Sequence, residues 1–287
     1  MIRDLVHLAL GGYAFLLCEV GVPEGAALEG GWEVLGGPGG LRRLAWGAAA
    51  SALLAAAAWA ARAVDRSGAI AGFALAALVG TGLGAPGFAL LAAFVVLGSA
   101  ATRLGFRRKA EAGLAQAHGG RRGARHAVAN CAVAAACALF AAVTPHTGIY
   151  TLAFAGALSS ALADTVGSEI GQLWGRRPVL VTSWKAVPPG TDGAISWPGT
   201  AASAAAALAT AGISWASGLI PGTAVEVGSA GQAVAAVAAA GFVGSLVDSL
   251  LGATLQRRGL LDNDAVNFAN TLAGALVAVG LGNQSGA

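Results

Sequence analysis

Residues 231–256 read GQAVAAVAAAGFVGSLVDSLLGATLQ, a run whose one ionisable side chain is Asp248. A helix of about 20 predominantly apolar residues crosses ~30 Å of hydrocarbon. A carboxylate at that depth costs at least ~2.5 kcal/mol and usually marks a substrate or ion site. Gly241, Ser245, Asp248, Ser249, Gly252 and Gln256 recur at helical spacing on one face, while leucine, valine and phenylalanine fill the rest. The run reads as a transmembrane helix with a narrow polar stripe.

Working outward, the rest of the chain has the same character. Of 287 residues, 56% are hydrophobic and 11% charged, with a mean hydropathy of +0.69; soluble domains carry roughly 25% charged residues. Spans are expected at 4–22, 42–63, 69–84, 86–104, 126–143, 149–171, 197–219, 231–256 and 263–282, separated by breaks at Pro86, Pro145, Pro188-Pro189 and Pro221-Gly222. The fold class is therefore all-α: a polytopic bundle of about nine helices forming a single transmembrane domain over residues 1–287. Its 44 glycines and abundant alanines favour close helix packing. Residues 1–43 read as a retained first span, lacking a small-residue cleavage site, followed by a glycine-rich connector with Glu24, Glu29 and Glu33. Cys18, Cys131 and Cys137 lie in apolar stretches without a CxxC pair and read as small core residues. Trp32, Trp174 and Trp184 suit an interfacial belt.

Charge asymmetry orients the bundle. Arg107, Arg108, Lys109, Arg121, Arg122 and Arg125 follow the fourth span, Arg176, Arg177 and Lys185 the sixth, and Arg257 and Arg258 the eighth. The alternate loops at 82–86, 144–148 and 219–230 contain no lysine or arginine. The positive-inside rule makes the first set cytoplasmic, with a cytoplasmic N-terminus and an outside C-terminus. Arg42 and Arg43 dissent, offset by the three glutamates before them. Aromatics do not interleave with these basic residues, so no nucleic-acid platform is expected.

Two further spans repeat the polar stripe: Gly156, Ser160, Asp164, Gly167, Ser168 and Gly171 in the sixth, and Asn263, Asn267, Asn270 and Gly274 in the ninth. Packing accounts for the glycines and serines, but packing needs no carboxylate, which leaves Asp164 and Asp248 as site candidates. The loop 175–200, GRRPVLVTSWKAVPPGTDGAISWPGT, places Lys185 before a turn at Gly190, Thr191, Asp192 and Gly193. Glycine amides and a lysine suit phosphate; a solvated loop is the plain alternative. Residues 118–130, HGGRRGARHAVAN, bring Arg121 and Arg122 next to Asn130 at membrane depth, for phosphate or for anionic headgroups. Mg²⁺ prefers one or two carboxylates plus substrate phosphate oxygens, and phosphoryl transfer needs mainly positioning and charge neutralisation. The set suits a reaction between a nucleoside triphosphate and a lipid phosphate at the cytoplasmic face. No GxxxxGK[ST], HExxH or GxSxG occurs.

Four segments carry a resemblance: 98–130 (GSAATRLGFRRKAEAGLAQAHGGRRGARHAVAN), 161–171 (ALADTVGSEIG), 181–200 (VTSWKAVPPGTDGAISWPGT) and 244–270 (GSLVDSLLGATLQRRGLLDNDAVNFAN). Together they resemble the family of transmembrane protein 19 and the plant phytyl-phosphate kinase over residues 44–282. The resemblance implies a membrane kinase that converts a prenyl or phytyl (or geranylgeranyl) monophosphate into the diphosphate with CTP as donor. Asp164, Glu169, Lys185, Gly190, Thr191, Gly193, Asp248, Asp262, Asn263 and Asn267 stand at its motif positions. Asp192 replaces a common asparagine, and Val166-Gly167 a common tryptophan-alanine pair. The order of Asp164, Lys185 and Gly190 is also distantly similar to dolichol kinase and phosphatidate cytidylyltransferase, which use CTP.

On that basis Asp164, Asp248 and Glu169 are expected to hold Mg²⁺, and Lys185 with Arg121 and Arg122 to neutralise the transferring phosphoryl group. Ser168, Ser249, Gln256, Asn130, Asp262, Asn263, Asn267 and the Gly190–Gly193 turn are expected to bind substrate, with apolar grooves for the prenyl tail. A CTP-dependent lipid cytidylyltransferase and a non-enzymatic transporter are the alternatives; transporter sites tend to lie near the midplane, away from the end where these charges gather.

Overall fold

A computed structural model describes residues 40–220 and 229–282. The expected first span, its connector and the Pro221-Gly222 break lie outside the described residues. Eight helices follow: α1 Gly40–Ala60, α2 Arg66–Arg103, α3 Phe106–Glu111, α4 Ala124–Val143, α5 Thr147–Trp174, α6 Trp197–Ala216, α7 Ala230–Leu251 and α8 Asn263–Gly282. Six are long and apolar enough to cross a membrane, α7 counted with its continuation to Gln256. The uncharged 20-residue α6 packs beside them against α5 and α7. The all-α membrane class is borne out.

The helix α2 is a hairpin. A straight helix would separate Gly68 from Gly98 by about 45 Å, yet a Cβ on either would touch Arg122. The chain reverses at Gly84 (φ 62°, ψ −154°), a conformation that glycine adopts without steric cost, and Pro86 starts the second arm. The expected spans 69–84 and 86–104 are its two antiparallel arms.

Polar side chains set where helices begin. Asp65 accepts from the Gly68 amide at 2.8 Å, Ser229 from Gln232 at 3.2 Å and Asp262 from Ala265 at 2.9 Å. Each satisfies an amide that the first turn leaves without a partner. Ser196 does the same for Gly199, with Pro198 in the first turn of α6.

The core is α5, whose residues 150–163 are all buried. Its composition of alanine, glycine and serine lets α4, α6, α7 and α8 approach closely. At the crossing with α8, a Cβ on Gly156 would lie 2.6 Å from the Gly274 carbonyl oxygen, and one on Gly274 would lie 2.6 Å from that of Gly156. Ser203 Oγ of α6 donates to the Ala163 carbonyl at 2.8 Å, as interhelical glue. Apolar side chains such as Leu53, Ile70, Val96 and Leu208 face outward, as a hydrocarbon solvent requires.

A short antiparallel pairing was not expected in an all-α chain: β1 Val179–Leu180 pairs with β2 Ala194–Ile195, Val179 opposite Ile195 and Leu180 opposite Ala194. It closes the loop between α5 and α6 into a hairpin. Below Leu251 the helix widens into a π-helical turn, Gly252–Gln256. Both irregularities border the site, where such turns are frequent.

Candidate functional site

The polar stripes of α5, α7 and α8 converge on a cavity of about 790 Å³. It lies at the end of the bundle that carries the basic loops, since its wall includes Arg121, Arg122 and Arg125 together with Pro189 to Ser196 and Gln256. Asp164 from α5 and Asp248 from α7 face each other within hydrogen-bonding reach. Ser168, one turn along α5, lies beside Asp164. Asn270 Nδ2 donates to Asp248 Oδ2 at 3.1 Å, and Asn270 Oδ1 accepts from Ser160 Oγ at 2.5 Å. One residue of α8 thus ties both carboxylate-bearing helices together.

Neither Asp164 nor Asp248 forms a salt bridge among the described residues. Asp192 adds negative charge beside Asp248. Facing carboxylates without a salt-bridge partner either share a proton or receive a cation. No cluster of three or more His, Cys, Asp or Glu side chains is arranged to hold a metal among the described residues. The pair fits a cation that takes its remaining ligands from a substrate, which is how Mg²⁺ is commonly held.

Positive charge comes from the segment before α4. Arg122 lies between the arms of α2 and the cavity. Its amide donates to the Ala63 carbonyl at 3.0 Å, its carbonyl accepts from the Asp65 amide at 3.1 Å, and its Nη2 reaches Thr102 Oγ1 at 3.2 Å. Burial lowers its pKa from the usual arginine value, with the Glu169 charge opposing that shift. Arg125 bridges Asp262 (Nη2–Oδ2, 2.7 Å) and Asp264 (Nε–Oδ2, 3.4 Å), and His126 Nδ1 stands 4.0 Å from Asp264. On the α7 side, the turn containing Gly190, Thr191, Asp192 and Gly193 lines the cavity. It can press against the π-helical turn because Gly193 (φ +73°) has no side chain: a Cβ there would lie 2.5 Å from Ala253 Cα.

Most expected site residues line this cavity: Asp164, Ser168, Asp248, Ser249, Gln256, Asn263, Asn267, Arg121, Arg122 and residues 190–193. Four do not. Glu169, expected as a metal ligand, is buried in an ion pair with Lys109 and accepts from Gln116 Nε2 at 2.8 Å. It stands five residues after Asp164, about 140° around the helix, and so points away from the pair. Lys185 is exposed at the outer tip of the loop, where its carbonyl accepts from the Leu180 amide at 2.9 Å. Asp262 is exposed and spent on capping α8 and pairing with Arg125; the Ala265 amide and then Arg125 hold its carboxyl below the usual range. Asp264 lines the cavity in its place. Asn130 is buried and donates to the His126 carbonyl at 3.0 Å, on the wall of a neighbouring groove. His126 and Asp264 also line the cavity and Asn270 holds Asp248 from behind it; the sequence singles out only Asn270, as part of the polar stripe.

The fold and site define a polytopic membrane protein with two facing carboxylates in a cavity that opens beside arginines. The chain belongs to the integral membrane protein family DUF92, which matches residues 49–275. It is 36% identical over 210 residues to the uncharacterized membrane protein sll0875 of Synechocystis sp., covering 72% of this chain and 78% of that one. It is 33% identical over 225 residues to Protein VTE6, chloroplastic, of Arabidopsis thaliana, covering 75% and 64%. An uncharacterized membrane protein of Methanocaldococcus jannaschii, MJ0933, is 29% identical over 190 residues, covering 66% and 74%. No solved structure matches the chain. The family resemblance read from the motifs is borne out.

Proposed function

We propose that this chain is a membrane-embedded prenyl-phosphate kinase, which transfers the γ-phosphoryl group of CTP to a phytyl, geranylgeranyl or related monophosphate to give the diphosphate. The observation that carries the reading is the facing pair Asp164–Asp248, without a salt-bridge partner among the described residues, in one cavity with Arg121, Arg122 and Arg125. The similarity to the plant plastid protein VTE6 supports a prenyl-phosphate substrate. The basic loops around the cavity favour its cytoplasmic orientation.

A phosphate monoester is largely dianionic at pH 7, its second pKa being near 6. Its oxygen attacks the γ-phosphorus, the bond between that phosphorus and the β–γ bridging oxygen breaks, and CDP leaves with the electron pair. No proton moves, so no general base is required. Bound at Asp164 and Asp248, Mg²⁺ supplies charge neutralisation to the donor phosphates. Arg122, fixed from both sides, and Arg121 neutralise the transferring group. Backbone groups of the Gly190–Gly193 turn and the Asn263 and Asn267 amides orient phosphate oxygens.

The test is an assay of purified protein with CTP labelled in either the α- or the γ-phosphate, against phytyl and geranylgeranyl monophosphates. The γ-label is expected in the lipid. Transfer of the α-label would instead identify a cytidylyltransferase, and nucleotide-independent lipid or ion flux a transporter.

A further inference from the structure

The wall of the cavity at Arg122 and His126 is also the end wall of a second, apolar groove. This groove runs between α1, both arms of α2 and the start of α4, past Ala58, Gly72, Leu75, Phe94 and Cys131. Leu54, Ala55 and Ala58, its α1 side, are only half-buried, so it stays open towards the apolar exterior.

Two observations distinguish it from an ordinary packing seam. First, a Cβ added to Gly72 meets nothing within 4 Å. One helical turn nearer the cavity, about 6 Å, a Cβ on Gly68 would strike the Arg122 carbonyl. The free space therefore begins just behind Arg122. Second, the groove is apolar along its length and ends on a guanidinium fixed by Thr102. An anion with one apolar chain matches that sequence of surfaces: its phosphate meets Arg122 and His126, and its chain follows the stripe from Gly68 to Ala76, about 12 Å.

Resting on the kinase reading, the geometry points to this groove as the binding site for the proximal part of the acceptor's prenyl chain, its distal end leaving between α1 and α2 into the bilayer. The donor then occupies the wall formed by the Gly190–Gly193 turn and α7, and the acceptor the wall formed by α2 and α4. The two phosphates approach the carboxylate pair from different sides, as an in-line displacement requires.

The test is photolabelling in lipid nanodiscs with a prenyl monophosphate that carries a diazirine in its first isoprene unit. Wild type is expected to be labelled within residues 54–58 and 72–76. Gly72→Leu, and separately Ala58→Leu from the opposite wall, should cut that labelling about ten-fold, since a few buried methylenes are worth that much in a hydrophobic pocket. Gly280→Leu, which also fills open space but lies on α8 outside the groove, should leave labelling unchanged. Labelling elsewhere, or labelling indifferent to both groove variants, overturns the proposal. Under turnover, Gly72→Leu should raise the acceptor KM about ten-fold and leave the CTP KM unchanged; a raised CTP KM with an unchanged acceptor KM also overturns it. Groove labelling in a protein that transfers no phosphate would sustain this site and refute the kinase reading.

Discussion

Replacing Glu169 separates a structural role from a metal-binding one. Its carboxylate and the Lys109 ammonium have side-chain exposures of 4% and 1%. Lys109 also donates to the Thr102 carbonyl at 2.9 Å, and Gln116 to Glu169 at 2.8 Å. Three segments, α2, α3 with the loop that follows it, and α5, thus meet at one pair. Removing one partner of a buried ion pair strands the other charge and costs about 3–5 kcal/mol, while replacing both with apolar groups of similar volume is close to neutral. Glu169→Met and Lys109→Met are each expected to lose about 3–5 kcal/mol, and the double variant less than about 2 kcal/mol. The implied coupling is therefore at least about 4 kcal/mol if each single change costs about 3, well beyond the error of additivity. The measurement is denaturant unfolding in detergent for the four members of the cycle, with turnover followed in parallel. Glu169→Met that abolishes turnover without loss of stability, next to a silent Lys109→Met, would refute the argument and restore Glu169 as a ligand.

Asp164→Asn and Asp248→Asn should each abolish turnover while leaving thermal stability equal or higher, because two facing carboxylates repel; a clear fall in melting temperature would show that the pair is structural. Lys185→Ala should change kcat/KM less than about ten-fold, whereas Arg122→Ala should reduce it by about 10²-fold or more, as loss of a positioned charge at a reacting phosphate does; steady-state kinetics decides the order. Asp262→Ala should cost about 1 kcal/mol through loss of the α8 cap. With its folded pKa depressed, the Asp262 contribution is complete above the unfolded value of ~3.9 and is lost as pH falls through the folded value. Stability curves of wild type and Asp262→Ala should therefore converge at acid pH.

The bundle was legible because its determinants are local. Apolar length fixes each span, Gly84 and Pro86 mark the α2 reversal, and helical periodicity brings Asp164, Asp248 and Asn267 onto inward faces. The misplacements all concern non-local partners. Lys109 lies 60 residues from Glu169, and no local pattern couples them; the 140° offset between Asp164 and Glu169 was nevertheless available and argued against a shared metal. Sequence proximity places Lys185 beside the Gly190–Gly193 turn, but the Leu180–Lys185 turn carries it to the outer tip of the loop. Asp262 and Asp264 were separable by capping logic: the residue three before a helical amide caps it, which leaves Asp264 to turn inward. Two-residue strands such as β1 and β2 are too short to leave a period.

Divalent-ion binding tests the carboxylate pair most directly. With Mn²⁺ as a paramagnetic substitute for Mg²⁺ and a non-hydrolysable CTP analogue present, electron paramagnetic resonance of the purified protein should show a stoichiometric nucleotide-dependent site. That site should be lost in both Asp164→Asn and Asp248→Asn and retained in folded Lys109→Met/Glu169→Met. Mn²⁺ binding that survives either asparagine substitution would contradict the assignment of Asp164 and Asp248.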